Sequence, residues 1–305
     1  MSADTLSVQP RLPAPRFGRL GMLRYRLVGK VLVPLLTGSV VAAVYLFLLA
    51  PVIVVVVASF DGGSPVGGRA FLNFPPSDLS LQWYSAIQPR LYRALWISLS
   101  VATIATAAAI LIGVPAAIGL VRSNVPGKAV MATLFRAPLQ IPFIVIGVAF
   151  LQTYYMIGDA FGIRLVSTFP GLLLGHIFVT TPYVVGSVGA VLHRFDMSLE
   201  EAALSLGASR WRTFRRVTLP LIMPGVYAGA LFAFMVSFGD VPMSLFLAGS
   251  SYTTLPVEIF HSMEFDFDAA ILALSSMIVA GSVLLLWVIQ KLVGLDVLVR
   301  STGRG

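Results

Sequence analysis

Six long stretches of this chain carry no Asp, Glu, Lys or Arg. They lie between Lys30 and Asp61 (30 residues), Arg93 and Arg122 (28), Arg136 and Asp159 (22), Arg164 and Arg194 (29), Arg216 and Asp240 (23), and Asp268 and Lys291 (22). A helix crossing hydrocarbon needs about 20 apolar residues, so each window predicts one membrane span. Six spans put both termini on one side. The first window is too long for the apolar core of a signal peptide and is expected to stay as an uncleaved span, bent at Pro51. The third is interrupted by Pro138 and Pro142, and the fifth is expected to continue to about Leu247. The predicted organisation is a basic tail over 1–30 and a transmembrane domain over 31–305, with its core at about 92–293.

Between the fourth and fifth windows lies a charged, amphipathic insert, residues 196–220. Leu199, Ala202, Ala203 and Leu206 fall at i, i+3, i+4 and i+7, one face of a helix. Ser198 with Glu201 three residues on reads as a capping box. Gly207 reads as a helix stop and Ser209 as the cap of a second short helix. That helix carries Trp211 and Phe214 on one side and Arg210, Arg212, Arg215 and Arg216 around the rest. Pro220 and Pro224 open the next apolar run, where a missing N–H is harmless. The insert is too polar to span a bilayer, yet its apolar face needs a protein surface to rest on.

Composition agrees: 57% of residues are hydrophobic, 11% are charged and the mean hydropathy is +0.90. Soluble domains carry about 25% charged residues, so the chain reads as an all-α integral membrane protein. The net charge of +8 is not a nucleic-acid signature, because its placement follows membrane topology instead. With the amino terminus inside, 17 of the 21 Lys and Arg fall on the inner side, leaving Arg69, Arg90, Arg93 and Arg164 outside. The insert is thereby expected in the cytoplasm. The 60–91 segment, with Trp83-Tyr84, is expected as an outer interfacial element. The 248–268 segment, with Glu258, Glu264, Asp266 and Asp268, is expected as an acidic outer loop.

The insert resembles a known motif. Glu201-Ala202-Ala203, then Gly207, then Val217-Thr218-Leu219-Pro220, is similar to the EAA loop of permease subunits of bacterial type I ABC importers, with Val217 where the family usually has Ile. The resemblance implies the six-helix permease fold and a cytoplasmic coupling helix docked on a separate ATPase subunit. It also implies a second permease subunit, a periplasmic substrate-binding protein and residence in the bacterial inner membrane. Carried onto this chain, it gives Glu201, Ala202, Ala203, Gly207, Arg210, Leu219 and Pro220 as the coupling residues. Beyond the motif, Phe74-Pro75-Pro76, Leu79-Ser80-Leu81-Gln82-Trp83-Tyr84, Ser237-Phe238-Gly239-Asp240, Ser244-Leu245-Phe246-Leu247-Ala248-Gly249 and Thr254-Leu255-Pro256-Val257 resemble the polyamine (spermidine/putrescine) branch. Members of that branch carry an acidic pair near the Ser-Phe segment, where this chain has Gly239-Asp240. Related branches importing aminoethylphosphonate, ferric iron, opines or other small charged solutes share these motifs.

Catalytic chemistry is not expected. Gly29-Lys30 and Gly127-Lys128 lack the rest of a phosphate-binding loop, so ATP belongs on a partner. His261-x-x-Glu264 is not a zinc motif, and the chain has no cysteine, so neither metal nor cofactor is predicted. Gly225 and Gly229 match the small-residue packing motif, read here as ordinary close helix packing. Asp240 stands out, because a carboxylate in an apolar run costs about 2.5–3.5 kcal/mol at the bilayer centre. Sixteen residues beyond Pro224 place it about 24 Å along the helix, in the outer third. It is expected either to meet a cationic solute, with Ser237 and with Phe234 and Phe238 adding cation–π contact, or to cap a broken helix end. A gradient-driven transporter would show inverted repeats and several intramembrane charges; only Asp240 is found, and no repeat.

Overall fold

Helices fill the charge-free windows and stop where glycine, proline or charge returns. The computed structural model describes residues 32–62, 74–76, 78–123, 126–265 and 269–293; the basic tail over 1–30 lies outside them. The elements are α1 (Val33–Ala58), α2 (Gln82–Ser85), α3 (Pro89–Arg122), α4 (Lys128–Arg136), α5 (Phe143–Phe161) and α6 (Phe169–Leu192), followed by α7 (Ser198–Ser205) and α8 (Arg210–Thr213). A π turn, Phe214–Thr218, leads into α9 (Leu219–Phe238), then α10 (Ser244–Leu247), α11 (Leu255–Phe265) and α12 (Ala270–Val293). Among the described residues β structure is limited to an isolated bridge, Asp61 with Leu79.

Among the described residues five helices are picked out by length and apolar character as able to cross a membrane: α1, α3, α5, α6 and the continuous rod from Arg210 to Phe238. The sixth window falls on α12, which runs 24 residues from Ala270 to Val293. Pro138 sits in a 3₁₀ turn and Pro142 caps α5, so the third span shrinks to 19 residues. Pro51, Pro115 and Pro182 lie inside helices.

Three expectations are corrected. The fifth span does not reach Leu247: it stops at Phe238, because Gly239 leaves helical geometry and Asp240 turns back to hold α10. The 248–268 segment is not simply a loop, since α11 occupies most of it. The second arm of the insert is not a separate short helix. It runs through the π turn into α9, the Leu219 N–H reaching back five residues to the Phe214 carbonyl just before Pro220. Trp83 and Tyr84 tie their segment to the helices: Trp83 Nε1 donates to the Asp61 carbonyl (2.7 Å), and the Tyr84 hydroxyl joins Ser59 and Ser276, linking α1 to α12.

The centre is a three-helix core of α3, α6 and α9. Ala109, Ala117, Val184, Val188, Ile222 and Ala233 are buried there. Gly225 and Gly229 let α9 close on α6: a Cβ at Gly229 would stand 2.8 Å from Val184 Cα, and one at Gly225 2.9 Å from the Ser187 carbonyl oxygen. The small-residue motif therefore packs within the chain. We call the end of this core that carries α7 proximal and the end that carries α11 distal. At the distal end a second cluster gathers Val101, Ile146, Leu172, Val179, Met243 and Leu247 from α3, α5, α6 and α10.

Candidate functional site

The insert begins where α6 ends. Asp196 accepts the Ser198 N–H at 3.0 Å, Met197 stands at the N-cap of α7 without a side-chain cap, and the Ser198–Glu201 capping box does not form. Ser198 is already the first residue of α7, one place past the cap position that the motif assumes, which is why the motif misled. That hydrogen bond from the Ser198 backbone holds the Asp196 carboxyl below its usual range. The stop at Gly207 is as predicted. With φ +85°, Gly207 donates to Leu204 O (2.9 Å) and Ala208 to Ala203 O (3.1 Å), the two bonds of a Schellman turn. Ser209 then caps α8, its hydroxyl accepting the Arg212 N–H. Trp211 and Phe214 stack at 5.7 Å.

The face bearing Leu199, Ala202 and Leu206 is uncovered by its own chain. Leu206 is 88% exposed and Trp211 69%, with Met197, Leu199 and Leu204 also open. Glu201, Ala202, Gly207, Arg210 and Pro220 are exposed, whereas Ala203 and Leu219 are half-buried. Among the described residues the insert thus presents a largely exposed apolar ridge edged by arginines. Sequence reasoning missed Glu200. It turns towards the core, accepting from Arg122 Nη2 at 2.5 Å and from the Thr218 hydroxyl, while the Arg122 guanidinium lies over the Phe195 ring.

At the distal end, Asp240 is 3% exposed. Its Oδ2 accepts the Ser244 N–H (2.8 Å) and hydroxyl (2.7 Å), the helix-end role weighed for it. His176, also missed, stands behind: Nε2 is 3.1 Å from Ser244 Oγ and Nδ1 is 2.8 Å from Ser237 Oγ. With the Ser244 proton given to Asp240, the neutral imidazole donates from Nε2 to Ser244 and accepts the Ser237 hydroxyl at Nδ1. Ser237 and Asp240 therefore belong to one buried chain of hydrogen bonds pinning the broken end of α9 to α6. Phe234 and Phe238 stack nearly parallel at 5.8 Å and are half-buried. Elsewhere at this end, two adjoining cavities of about 350 and 470 Å³ share Arg93, Ile97 and Ser251; neither is lined by Asp240. Among the described residues no cluster of His, Asp and Glu has the makings of a metal site.

Comparison with known proteins agrees with this geometry. Residues 109–294 match the family described as "Binding-protein-dependent transport system inner membrane component". The chain is 31% identical over 271 residues to the spermidine/putrescine transport system permease protein PotC of Escherichia coli, covering 88% of this chain and 97% of that one. It is 34% identical over 238 residues to the molybdenum transport system permease protein ModB of Mycobacterium bovis, covering 72% and 89%. In three dimensions it resembles a bacterial ABC transporter involved in the import of the acidic polysaccharide alginate, with a TM-score of 0.66 and 16% identity over 92% of this chain and 99% of that one. The chain belongs to the inner-membrane permeases of binding-protein-dependent ABC transport systems.

Proposed function

We propose that this permease moves a polyamine of the spermidine/putrescine class from a periplasmic binding protein to the cytoplasm. It does so beside a second permease subunit, driven by ATP hydrolysis on a separate ATPase subunit, with both of its termini cytoplasmic. The observation that carries the coupling half is the uncovered ridge of Leu199, Leu206 and Trp211 on a helix pair with its turn at Gly207 and a cap at Ser209. Such a ridge suits a groove on a soluble partner, and its continuity with α9 gives a stroke on it a direct route into the membrane. Glu201, Ala202, Ala203, Gly207, Arg210, Leu219 and Pro220 are the residues assigned to that contact and its hinge. The basic residues, concentrated at the α7 end, support placing it in the cytoplasm.

The cargo reading rests on PotC, whose likeness runs over 88% of this chain and 97% of that one. Phe234 and Phe238 are the side chains proposed to meet the ammonium groups by cation–π contact, worth about 0.5–2 kcal/mol. Ser237 and Asp240 hold that end of α9 in place from behind. Two measurements test the reading. A binding protein encoded with this permease is expected to gain thermal stability with putrescine or spermidine, and a gain only with aminoethylphosphonate, molybdate or amino acids would overturn the cargo. Glu201→Lys and Gly207→Val are expected to leave membrane insertion intact while uncoupling ATP hydrolysis from uptake; normal coupled uptake in both would overturn the docking.

A further inference from the structure

We infer that Glu200, rather than the motif's Glu201, joins the insert to the spans, and that α3 serves as the strut that carries its displacement across the membrane. The inference rests on the reading that the insert docks an ATPase. α7 is short, and Ser198, Glu201 and Ser205 all face away from the core. Glu200 turns the other way. A single carboxylate oxygen, Oε1, takes the Arg122 guanidinium at 2.5 Å and the hydroxyl of Thr218, itself 1% exposed in the π turn. One atom therefore ties three segments: the last residue of α3, the helix α7, and the turn from which α9 rises.

The same helix has an ionic contact at its other end. Arg90, in the first turn of α3, pairs with Glu258 of α11 at 3.2 Å. The two joints are separated by the run of α3 from Arg90 to Arg122, about 48 Å at 1.5 Å per residue. The proximal pair is the shorter and the better shielded: its side chains are 24% and 13% exposed, against 47% and 17% at the distal pair. Solvent screens such a pair less, so its geometry is the better held. Between the joints α3 is packed along α6 and α9, with Ala102, Ala105 and Ala109 fully buried. A push on α7 therefore reaches α9 through the chain and α3 through Glu200. Glu200 acts through its neighbours, as a positioning residue.

The experiment uses the complete transporter, both permease subunits with ATPase and binding protein, in sealed vesicles, and reads solute moved per ATP hydrolysed. Glu200→Gln and Arg122→Gln are each expected to lower that ratio about tenfold, the scale of a typical coupling between sites. The charge-exchanged pair Arg122→Glu/Glu200→Arg is expected to recover much of the loss, which a merely structural defect would not. Thr218→Val, which removes one contact and keeps the ion pair, is expected to give a smaller loss. A wild-type ratio in Glu200→Gln, or an exchanged pair no better than the single variants, overturns the joint. Should Glu200→Gln fail to assemble, a wild-type ratio in assembled Thr218→Val overturns it as well. Gly207→Val is run alongside: if it uncouples and Glu200→Gln does not, only the joint is wrong. If neither uncouples, the docking of the insert is wrong too.

Discussion

At the scale of single residues, the two ends of the molecule depend on different chemistry. Gly207 sits at φ +85°, where any other residue is strained by about 1–2 kcal/mol. Gly207→Ala is expected to fray the turn between α7 and α8 and lower uptake per ATP, while thermal unfolding of the purified permease shifts little. His176 is the reverse case, completely buried and bonded at both ring nitrogens. His176→Ala strands the Ser237 hydroxyl and is expected to cost about 1–3 kcal/mol, read as a lower unfolding temperature in detergent. Asp240→Asn keeps an oxygen for the Ser244 N–H and is expected to retain more stability and uptake than Asp240→Ala. Asp240 itself was legible as an outlier in an apolar run. His176 was not, because its partners lie 61 and 68 residues away in sequence and one charge-neutral imidazole leaves no mark on a hydropathy pattern.

At the scale of elements, the windows predicted the spans well because the membrane forbids charge more strictly than any fold does. What escaped was the short, amphipathic structure between them. α4 is nine residues long and opens on Gly127 at φ +82°, with Val130, Met131 and Leu134 exposed; its ends carry Lys128 and Arg136, and those charges leave it outside the second and third windows. α11 was hidden in the same way by its acidic residues. The capping box failed for a subtler reason: the helix starts one residue before the motif places it, with Met197 at the N-cap and Ser198 already in the first turn. Helix packing offers its own check. Gly229→Leu would force a side chain against Val184 Cα, and overpacking of this kind is expected to cost about 1–3 kcal/mol. The same substitution at Gly119, where an added Cβ would meet nothing within 4 Å, is expected to be far milder, and unfolding midpoints of the two variants make the comparison.

For the whole molecule, the chain's lack of cysteine makes topology directly measurable. A single Cys at Ser198 is expected to react with a membrane-impermeant maleimide only in inside-out vesicles, and one at Ser251 only from the other side. Reversal of that pattern would place the insert outside the cell. Among the described residues nothing buries the apolar window of α1, which leaves that helix open to lipid or to a second permease subunit. The rod from Arg210 to Phe238 has a consequence of plain leverage. Its 29 residues make an arm about 43 Å long. Pivoting that arm by roughly ten degrees about one tip sweeps the other through about 7 Å, wider than an alkyl ammonium chain is thick, so a small tilt below suffices to open or shut a passage above.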